Sequence, residues 1–441
     1  MSFPAYPSYR ESGIQWIGPL PSGWQVRPLL AVADECDRSN RGMIEDNLLS
    51  LSYGSIVRKD ISTSDGLLPE SFETYQVVER NDIVWRLTDL QNDKRSLRTA
   101  IVRERGIITS AYLATAPHGI MPDFFGYLLR AYDQEKVFYS MGGGLRQSMK
   151  FSDVRRMPII VPSEHEQTTI VAFLDRETAK IDALMEEQRR LIELLKEKRQ
   201  AVISHAVTKG LDPTVPMKDS GVEWLGDVPA HWEVGPLKRN WTVTDCKHIT
   251  AEVVGDGFPL ASIREVQSRF VQLDQAKMTT EDFYEQLCEG GRKPQSGDLI
   301  FSRNATVGEV AQVADWHPPF AMGQDVCLPR KSEQGQSSDF LQLVLRSDVV
   351  TAQLAQTMIG STFKRINVEQ IRTMSIPFPP PPEQADIVSM LEPISRKHDT
   401  LVEAAEAGIA LLQERRAALI SAAVTGKIDI RAIATQRAEA A

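Results

Sequence analysis

The sequence contains 441 residues, of which 42% are hydrophobic and 25% are charged. This length and apolar content are typical of about three globular domains, and they exclude both a disordered chain and a small disulfide-dependent scaffold. The net charge of -9 excludes a protein that coats nucleic acid indiscriminately, although residues 80–160 carry 13 Lys and Arg against 8 Asp and Glu.

The sequence predicts neither a membrane span nor a secretion signal. No window approaches the roughly 18 consecutive apolar residues of a membrane helix, and MSFPAYPSYRESG has no basic start followed by an apolar core. Cys36, Cys246, Cys288 and Cys327 lie far apart, so neither a disulfide framework nor a thiolate zinc site is indicated. The histidines are scattered as well. We therefore expect a cytoplasmic protein without a metal site.

The chain contains two copies of one arrangement of sequence motifs. ESGIQWIGPLPSGWQVRPL at 11–29 recurs as DSGVEWLGDVPAHWEVGPL at 219–237, with both tryptophans at the same spacing. Further along, VPSEHEQTTIVAFL at 161–174 recurs as FPPPPEQADIVSML at 378–391. A period of this size indicates a duplicated structural unit. The segments between the two repeated motifs barely align, so similar frames are expected to enclose dissimilar inserts.

The inserts have the pattern of mixed α and β structure. IVWRL, TAIVRE, DLIFSR and VGEVAQVAD are short β-branched runs, whereas DFFGYLLRAYDQ and DFLQLVLRSDVVTAQLAQ are helical. We expect two α+β globules whose loops carry the recognition surface.

Basic and polar residues occur in two places in each copy. GLRQSMKFSDVRRMP and STFKRINVEQIRTMS precede the EQ motifs, and WRLTDLQNDKRSLR and SRNAT lie within the inserts. Fixed positive charge suits phosphates, and Arg, Asn and Gln suit base edges, so these stretches are candidate DNA contacts. An ordinary charged surface is the alternative for each residue. The candidates are Arg86, Thr88, Arg95, Arg98, Arg146, Gln147, Ser148, Lys150, Arg303, Asn304, Thr306, Lys364, Arg365 and Asn367.

A long helix follows each EQ motif. Apolar residues recur at steps of three and four and predict a rod over 176–207, about 48 Å long at about 1.5 Å per residue. Pro393 predicts a break between a short EQ helix and the second rod. The apolar stripe needs a partner, and the duplicate helix is the obvious one; two separately buried helices are the alternative. The predicted pairing residues are Ile181, Leu184, Leu191, Leu195, Val202, Leu401, Leu412 and Leu419.

Motifs of a stand-alone enzyme are absent from the sequence. It contains no GxxxxGK[ST], GxGxxG, HExxH or GxSxG. The HPPF segment at 317–320 begins with His317, which cannot provide the amide or carboxylate acceptor of an amino-methyltransferase loop. We therefore expect no catalytic residues. A non-DNA coiled-coil scaffold and a stand-alone DNA-modifying enzyme remain the alternative functions.

The complete pattern resembles the specificity subunit of type I restriction-modification systems. Each globule is opened by WxGxxPxxW and closed by EQxxI and a helix that ends in ISxAVT, from about Ser12 to Asp429. The resemblance implies two target recognition domains, each reading one half of a bipartite asymmetric DNA site, joined by two long helices packed as an antiparallel coiled coil with pseudo-two-fold symmetry. The implied segments are 1–163 and 210–381 for the recognition domains, 164–209 and 382–428 for the helical spacers, and 429–441 for a tail.

The resemblance also implies the partners. The helices set the spacing of the half-sites and dock two methyltransferase subunits, which bind S-adenosylmethionine and methylate adenine in double-stranded DNA. Restriction subunits with translocase and nuclease parts use ATP and Mg, so this chain itself would hold no cofactor. His398 and Gly408 depart from an apolar seam in the second helix, which weakens the expected pairing there.

Overall fold

The computed structural model describes residues 3–61, 69, 71–90, 96–141, 149–332, 336–357 and 365–431. The chain forms two compact units. Unit 1 comprises the residues up to 188 together with those from 406 onward, and unit 2 comprises residues 189–405. Two long helices are divided between the units, so each unit contains one predicted globule and a part of each helix. The five-part division given above stays a prediction about sequence segments.

The elements follow the repeated plan. The first copy contains β1 Tyr9–Glu11, β2 Pro19–Pro21, β3 Gln25–Pro28, β4 Ala33–Glu35, β5 Leu49–Ser52, β6 Ser55–Arg58, β7 Gln76–Val78, β8 Ile83–Trp85, β9 Thr99–Ile101, β10 Gly106–Ile108, β11 Leu113–Pro117, α1 Pro122–Gln134, α2 Val137–Met141, α3 Phe151–Val154, β12 Pro158–Val161 and the long helix α4 Glu164–Lys209. The second copy contains β13 Met217–Asp219, β14 Asp227–Pro229, β15 Glu233–Pro236, β16 Trp241–Asp245, β17 Phe258–Ala261, β18 Lys277–Thr279, α5 Glu281–Cys288, β19 Leu299–Ser302, β20 Val310–Gln312, β21 Ala321–Met322, β22 Val326–Lys331, α6 Ser338–Leu345, α7 Asp348–Thr357, α8 Val368–Thr373, β23 Ser375–Phe378 and the long helix α9 Pro381–Val424.

The repeated motifs form the same frame in both units. β1 pairs with β2 and β13 with β14, each antiparallel. β3 pairs with β12, and β15 pairs with β23 in the same way. Each of these last two ribbons joins the beginning of a globule to its end, immediately before the long helix starts. The frame therefore brings the two ends of each insert together.

The inserts share a central sheet although their sequences barely align. The order is β4-β11-β8-β9 in unit 1 and β16-β22-β19-β20 in unit 2, with antiparallel neighbours throughout. β8 and β19 are buried along their whole length. A fully buried strand requires apolar bulk and not one particular side chain, so sheet order is preserved while sequence similarity is lost.

Around this sheet the units differ. Unit 1 adds the β5–β6 hairpin and the β7–β10 pair. Unit 2 adds β17, which pairs antiparallel with β18 and parallel with β21, together with helix α5. The mixed α and β composition expected of the globules is confirmed.

The predicted break in the long helices is wrong. α4 continues through 46 residues from Glu164 to Lys209, and α9 continues through 44 residues with Pro393 inside it. A proline removes one backbone hydrogen bond, which a helix held by many tertiary contacts can lose without ending.

Within the described part of the chain, no helix combines the length and the apolar character that a bilayer crossing requires.

The ends of the long helices belong to the hydrophobic cores. In unit 1, Ile170 and Leu174 near the start of α4 join Ile420 and Val424 near the end of α9 in the core that contains Trp24. In unit 2, Ile203 and Val207 near the end of α4 join Ile387 and Leu391 near the start of α9 in the core that contains Trp232. The repeated ISxAVT and EQxxI segments are therefore core segments of the two units.

Residues 4–9 and 426–431 meet in unit 1. The backbone amide of Asp429 donates to the carbonyl of Pro4 at 2.7 Å, and the Tyr9 hydroxyl donates to the carbonyl of Gly426 at 3.0 Å. The guanidinium of Arg431 lies 4.6 Å from the ring centroid of Tyr6. Residues before the first globule thus hold the segment that follows α9 in place.

Candidate nucleic-acid interface

The glutamate of each EQ motif binds a tryptophan of the frame. The indole Nε1 of Trp24 donates to Glu166 Oε1 at 3.1 Å, and that of Trp232 donates to Glu383 Oε2 at 2.9 Å. Both indoles are buried, and a buried indole N–H needs an acceptor. This bond explains why the tryptophan and the glutamate recur together.

The glutamine of each EQ motif holds the globule by its main chain. Gln167 accepts a hydrogen bond from the backbone amide of Met121 at 2.7 Å, at the start of α1. Gln384 accepts one from the backbone amide of Ser337 at 3.0 Å, at the start of α6. Each side chain also donates to a carbonyl five residues earlier, that of Pro162 or Pro379. The long helix, the frame and the globule are thereby joined at one buried point.

We expect Gln384→Leu to lower the free energy of unfolding by about 1–3 kcal/mol, because it leaves the half-buried amide of Ser337 and the buried carbonyl of Pro379 without their partner. Urea unfolding of the full chain measures the change. Gln324→Leu is the matched control, since Gln324 is exposed and should change stability by less than about 0.5 kcal/mol. Equal effects of the two substitutions would contradict this role for Gln384.

The structure brings together the two polar stretches of unit 2. The loop after β19 contains Asn304 and Thr306, and the backbone amide of Ile366 donates to the carbonyl of Arg303 at 3.0 Å. Asn304 and Arg365 also form a β-bridge. The SRNAT loop and the stretch before α8, which are 60 residues apart in sequence, thus form one surface.

The same junction is present in unit 1. The loop after β8 contains Arg86 and Thr88, and the backbone amide of Met149 donates to the carbonyl of Leu87 at 2.9 Å. Lys150 follows directly and is exposed, whereas Arg86 and Thr88 are half-buried. Each unit therefore presents a loop from its central sheet beside the basic stretch that precedes its EQ motif.

Side chains at the junction of unit 2 form a polar group. Thr306 is exposed, and its Oγ1 accepts a hydrogen bond from Gln267 Nε2 at 3.0 Å and lies 3.1 Å from Ser302 Oγ. Gln267 is exposed too, and the motif search missed it because it belongs to neither polar stretch. Arg365 is exposed, with Asp325 Oδ1 at 3.7 Å. Gln, Thr and Arg at one surface provide the donors and acceptors that base edges and phosphates require.

Arg303 differs from this prediction because its side chain is buried. It is 3% exposed, and its guanidinium lies 2.8 Å from Asp245 Oδ1. A buried guanidinium in an ion pair stabilises the loop and is withdrawn from a DNA surface. Asp245, Cys246 and His248 have ligand atoms within 4.8 Å of one another, but the positive charge of Arg303 opposes a metal cation there.

Arg98 is likewise a buried side chain and not a surface one. It is 0% exposed, and it donates to the Tyr139 hydroxyl at 3.1 Å and to the carbonyl of Thr88 at 3.2 Å. Its backbone amide donates to Asp133, whose pKa is raised to about 6 by burial. The arginine therefore shapes the loop that carries Thr88 from inside the globule.

The predicted DNA contact Asn367 has a structural role. Asn367 is exposed, but its side chain caps α8 and accepts a hydrogen bond from the amide of Gln370 at 2.8 Å. This capping role explains the presence of Asn367 without a DNA contact.

Five predicted DNA contacts lie outside the described residues. They are Arg95, Arg146, Gln147, Ser148 and Lys364.

The predicted helix seam requires a correction. Ile181 is buried, and Leu195, Val202, Leu412 and Leu419 are half-buried. Leu184, Leu191 and Leu401, in contrast, are 52%, 43% and 42% exposed. Met185 and Ile192 are buried in place of the first two. Leu184–Met185 and Leu191–Ile192 are adjacent apolar pairs, and periodicity does not show which member of such a pair faces inward.

Each unit contains an ion pair between the two long helices. In unit 1, Arg416 Nε of α9 lies 2.9 Å from Asp182 Oδ1 of α4. In unit 2, Arg199 Nη1 of α4 lies 2.7 Å from Asp399 Oδ1 of α9. The two pairs are equivalent, because both Arg199 to Arg416 and Asp182 to Asp399 are separated by 217 residues.

Comparison with known proteins agrees with this architecture. Residues 268–409 match the family model of the type I restriction modification DNA specificity domain. A putative type I restriction enzyme MjaX specificity subunit from Methanocaldococcus jannaschii is 24% identical over 323 residues, which cover 71% of this chain and 69% of that protein. These matches confirm the resemblance that the duplicated motifs predicted.

Solved structures show the fold. A chain from work on complex assembly and conformational transition of the type I R-M system has a TM-score of 0.56 at 18% identity, over 92% of this chain and 98% of that one. The HsdS subunit from Thermoanaerobacter tengcongensis is matched with a TM-score of 0.44 at 17% identity, over 93% of this chain and 98% of that one. The first of the two establishes a shared fold.

Proposed function

We infer that this chain is the sequence-specific DNA-binding specificity subunit of a type I restriction-modification system. The observation that carries the inference is the match of residues 268–409 to the DNA specificity domain, in a chain whose two units repeat one frame and one polar junction. Such a subunit is non-catalytic, and methylation and cleavage belong to its partners. Because its proposed ligand is double-stranded DNA, we propose that it acts in the cytoplasm.

Each unit is proposed to read one half of a bipartite target. The frames are alike, whereas the segments around the central sheets differ, so the two half-sites should be unlike. In unit 2 the contacts are assigned to Gln267, Asn304, Thr306 and Arg365. In unit 1 they are assigned to Arg86, Thr88 and Lys150, together with the predicted residues outside the described ranges. Arg98 and Arg303 are assigned to loop support.

The long helices are proposed to pair as an antiparallel coiled coil that sets the spacing of the half-sites. The two equivalent ion pairs support this pairing. Between Asp182 and Arg199 the chain advances 17 residues along α4, and between their partners Arg416 and Asp399 it retreats 17 residues along α9. Opposite directions of this kind are characteristic of antiparallel helices.

The partners are proposed from the resemblance. Two methyltransferase subunits would dock on the helices and the frames, one for each copy of the repeat, and restriction subunits would complete the complex. S-adenosylmethionine, ATP and Mg would be held by those subunits and not by this chain. The duplication supports two identical partners, because equivalent surfaces bind equivalent chains.

The function is tested by binding to a library of randomised DNA duplexes. We expect the full chain, alone or with its methyltransferase subunits, to select a split target and to lose affinity steeply as salt concentration rises, because phosphate contacts release counterions. Thr306→Ala and Arg365→Ala should weaken binding by about 1–3 kcal/mol each at one half-site.

Lys238→Ala is the control for these substitutions. Lys238 is exposed in unit 2 and lies 3.5 Å from Glu369, outside the polar group around Thr306. Selection of no duplex, or an affinity without salt dependence, would contradict the proposed function and favour a coiled-coil scaffold.

A further inference from the structure

Each unit contains a cavity beside a long helix. The cavity in unit 2 has a volume of about 680 Å³ and lies among α4, α6 and α9. The cavity in unit 1 has a volume of about 320 Å³ and lies among β6, β9, α1 and α9. Neither contains a residue of the other unit.

The two cavities are equivalent by residue. Asp123 and Arg130 of α1 line the cavity of unit 1. Asp339 and Arg346, each 216 positions further along the chain, line the cavity of unit 2. Arg416 lines the cavity of unit 1, and its counterpart Arg199, 217 positions earlier, lines the cavity of unit 2. An Asp and an Arg of the insert helix thus recur together with an Arg of a long helix, although the inserts otherwise barely align.

Positive charge exceeds negative charge at both sites. In unit 1 the lining contains Arg103, Arg130 and Arg416 against Glu104 and Asp123. The two carboxylates already pair with arginines, Asp123 with Arg103 at 2.6 Å and Glu104 with Arg58. In unit 2 the lining contains Lys196, Arg199, Arg269 and Arg346 against Glu309, Asp339 and Glu392. Each lining therefore contains one cation more than it has carboxylates, although Arg416 and Arg199 also pair with Asp182 and Asp399, which do not line the cavities.

The equivalent helix arginines are held by backbone carbonyls. Arg130 Nη2 donates to the carbonyl of Gly54 at 2.5 Å, and no carboxylate pairs with Arg130 among the described residues. Arg346 donates to the carbonyls of Ser268 and Val310 at 2.8 and 3.0 Å, with Glu309 at 3.4 Å. Burial lowers the pKa of both arginines, and the nearby Arg416 or Arg199 lowers it further. Two like charges at one cavity are stabilised when an anion enters.

The cavities adjoin the loops assigned to DNA recognition. Gln267 and Gly308 line the cavity of unit 2, and Gln267 also donates to Thr306 of the recognition loop. In unit 1 the lining strand β9 begins directly after Arg98, whose guanidinium donates to the carbonyl of Thr88 in the recognition loop. A nucleic-acid backbone lying along either loop would pass the mouth of the cavity next to it.

We propose that the two cavities are equivalent binding sites for a phosphate oxyanion, supplied by the DNA backbone beside each half-site. This inference rests on the proposed function, and it assigns phosphate contacts to Arg130, Arg346 and their partners Arg416 and Arg199, none of which sequence reasoning selected. Bidentate guanidinium groups suit phosphate oxygens, and contacts of this kind fix the register of a protein on its duplex without reading bases.

The test uses Arg130→Gln and Arg346→Gln in the full chain, with a labelled duplex carrying the selected target and a series of salt concentrations. We expect each substitution to weaken binding about ten-fold and to reduce the slope of log affinity against log salt by about one, with no change in the preferred bases. Arg105→Gln and Arg239→Gln are matched controls, since both arginines form surface ion pairs away from the cavities.

Two variants at exposed positions distinguish a loss of DNA binding from a folding defect. Ser55→Glu and Thr351→Glu add a carboxylate at exposed lining positions, and we expect them to weaken binding as the glutamine substitutions do. In a parallel arm, inorganic phosphate is titrated into the DNA-free chain by calorimetry. Loss of phosphate binding in the variants with DNA affinity unchanged would identify a free phosphate as the source of the oxyanion.

The outcomes separate this inference from the proposed function. Wild-type affinity and salt slope in all four variants, together with unchanged phosphate binding, would overturn the inference and leave DNA recognition intact. If the wild-type chain selects no duplex, the proposed function fails, and the phosphate titration alone then decides whether the cavities bind the oxyanion.

Discussion

A chimera in which residues 30–150 are replaced by the corresponding segment of a related specificity subunit should recognise a target altered in one half only. The replaced segment holds the central sheet, α1 and the polar junction of unit 1, while β3, β12 and both long helices are unchanged. The unchanged Gln167 binds the insert through a backbone amide, which any sequence provides. We expect affinity for the original target to fall by at least about 1000-fold, since several base contacts are lost together.

Selection from randomised duplexes measures this result. The reciprocal exchange of residues 238–367 in unit 2 is the control, and it should alter the other half-site. A chimera that changes both halves, or neither, would show that the recognition residues do not lie inside the frames as proposed.

The second large effect is expected from Arg303→Met. Removing the buried guanidinium takes from Asp245 its partner at 2.8 Å and leaves only His248 at 3.4 Å among the described residues, and we expect a loss of about 1–3 kcal/mol in the free energy of unfolding. Urea unfolding followed by tryptophan fluorescence measures it. Asp245→Asn in the same chain should recover part of the loss, because the carboxylate charge beside the apolar methionine is then removed.

Arg365→Met is the matched control for Arg303→Met. Arg365 is exposed, so its substitution should change stability by less than about 0.5 kcal/mol while weakening DNA binding. If Arg303→Met instead preserved stability and abolished DNA binding, Arg303 would be a direct DNA contact and its assigned role in loop support would be wrong.

The frame was predictable because its residues have obligatory partners. A buried indole needs an acceptor and a buried glutamine needs a donor and an acceptor, so Trp24, Glu166 and Gln167 recur with their counterparts at fixed spacing. The family resemblance, which comparison with known proteins confirms, rests on these residues. The inserts gave no such signal, since the four-stranded sheet that they share depends on buried apolar bulk alone.

Side-chain direction was the part that the sequence could not provide. Arg303 and Thr306 are three residues apart in one loop, yet one is buried and the other exposed. Arg98 is similarly buried by contacts with Tyr139 and Thr88, which lie 41 and 10 residues away in the chain. Charge and residue type locate such a loop, but only tertiary packing determines which of its residues reach the surface.

The helices illustrate the same limit at a different scale. Their existence follows from a long apolar periodicity, but Leu184 and Met185 satisfy that periodicity about equally well, and packing selects Met185. Pro393 is a strong local signal for a break, and the tertiary contacts of α9 override it.

The meeting of the chain ends in unit 1 has a consequence for how this polypeptide can be rearranged. Pro4 and Asp429 are already hydrogen-bonded, so a short peptide could join the chain at residue 429 to the chain at residue 4, and a new start could be cut near residue 211. Such a circular permutant would be translated with its second repeat first and would keep all the bonds described here. We therefore expect the architecture not to depend on which repeat comes first in the chain.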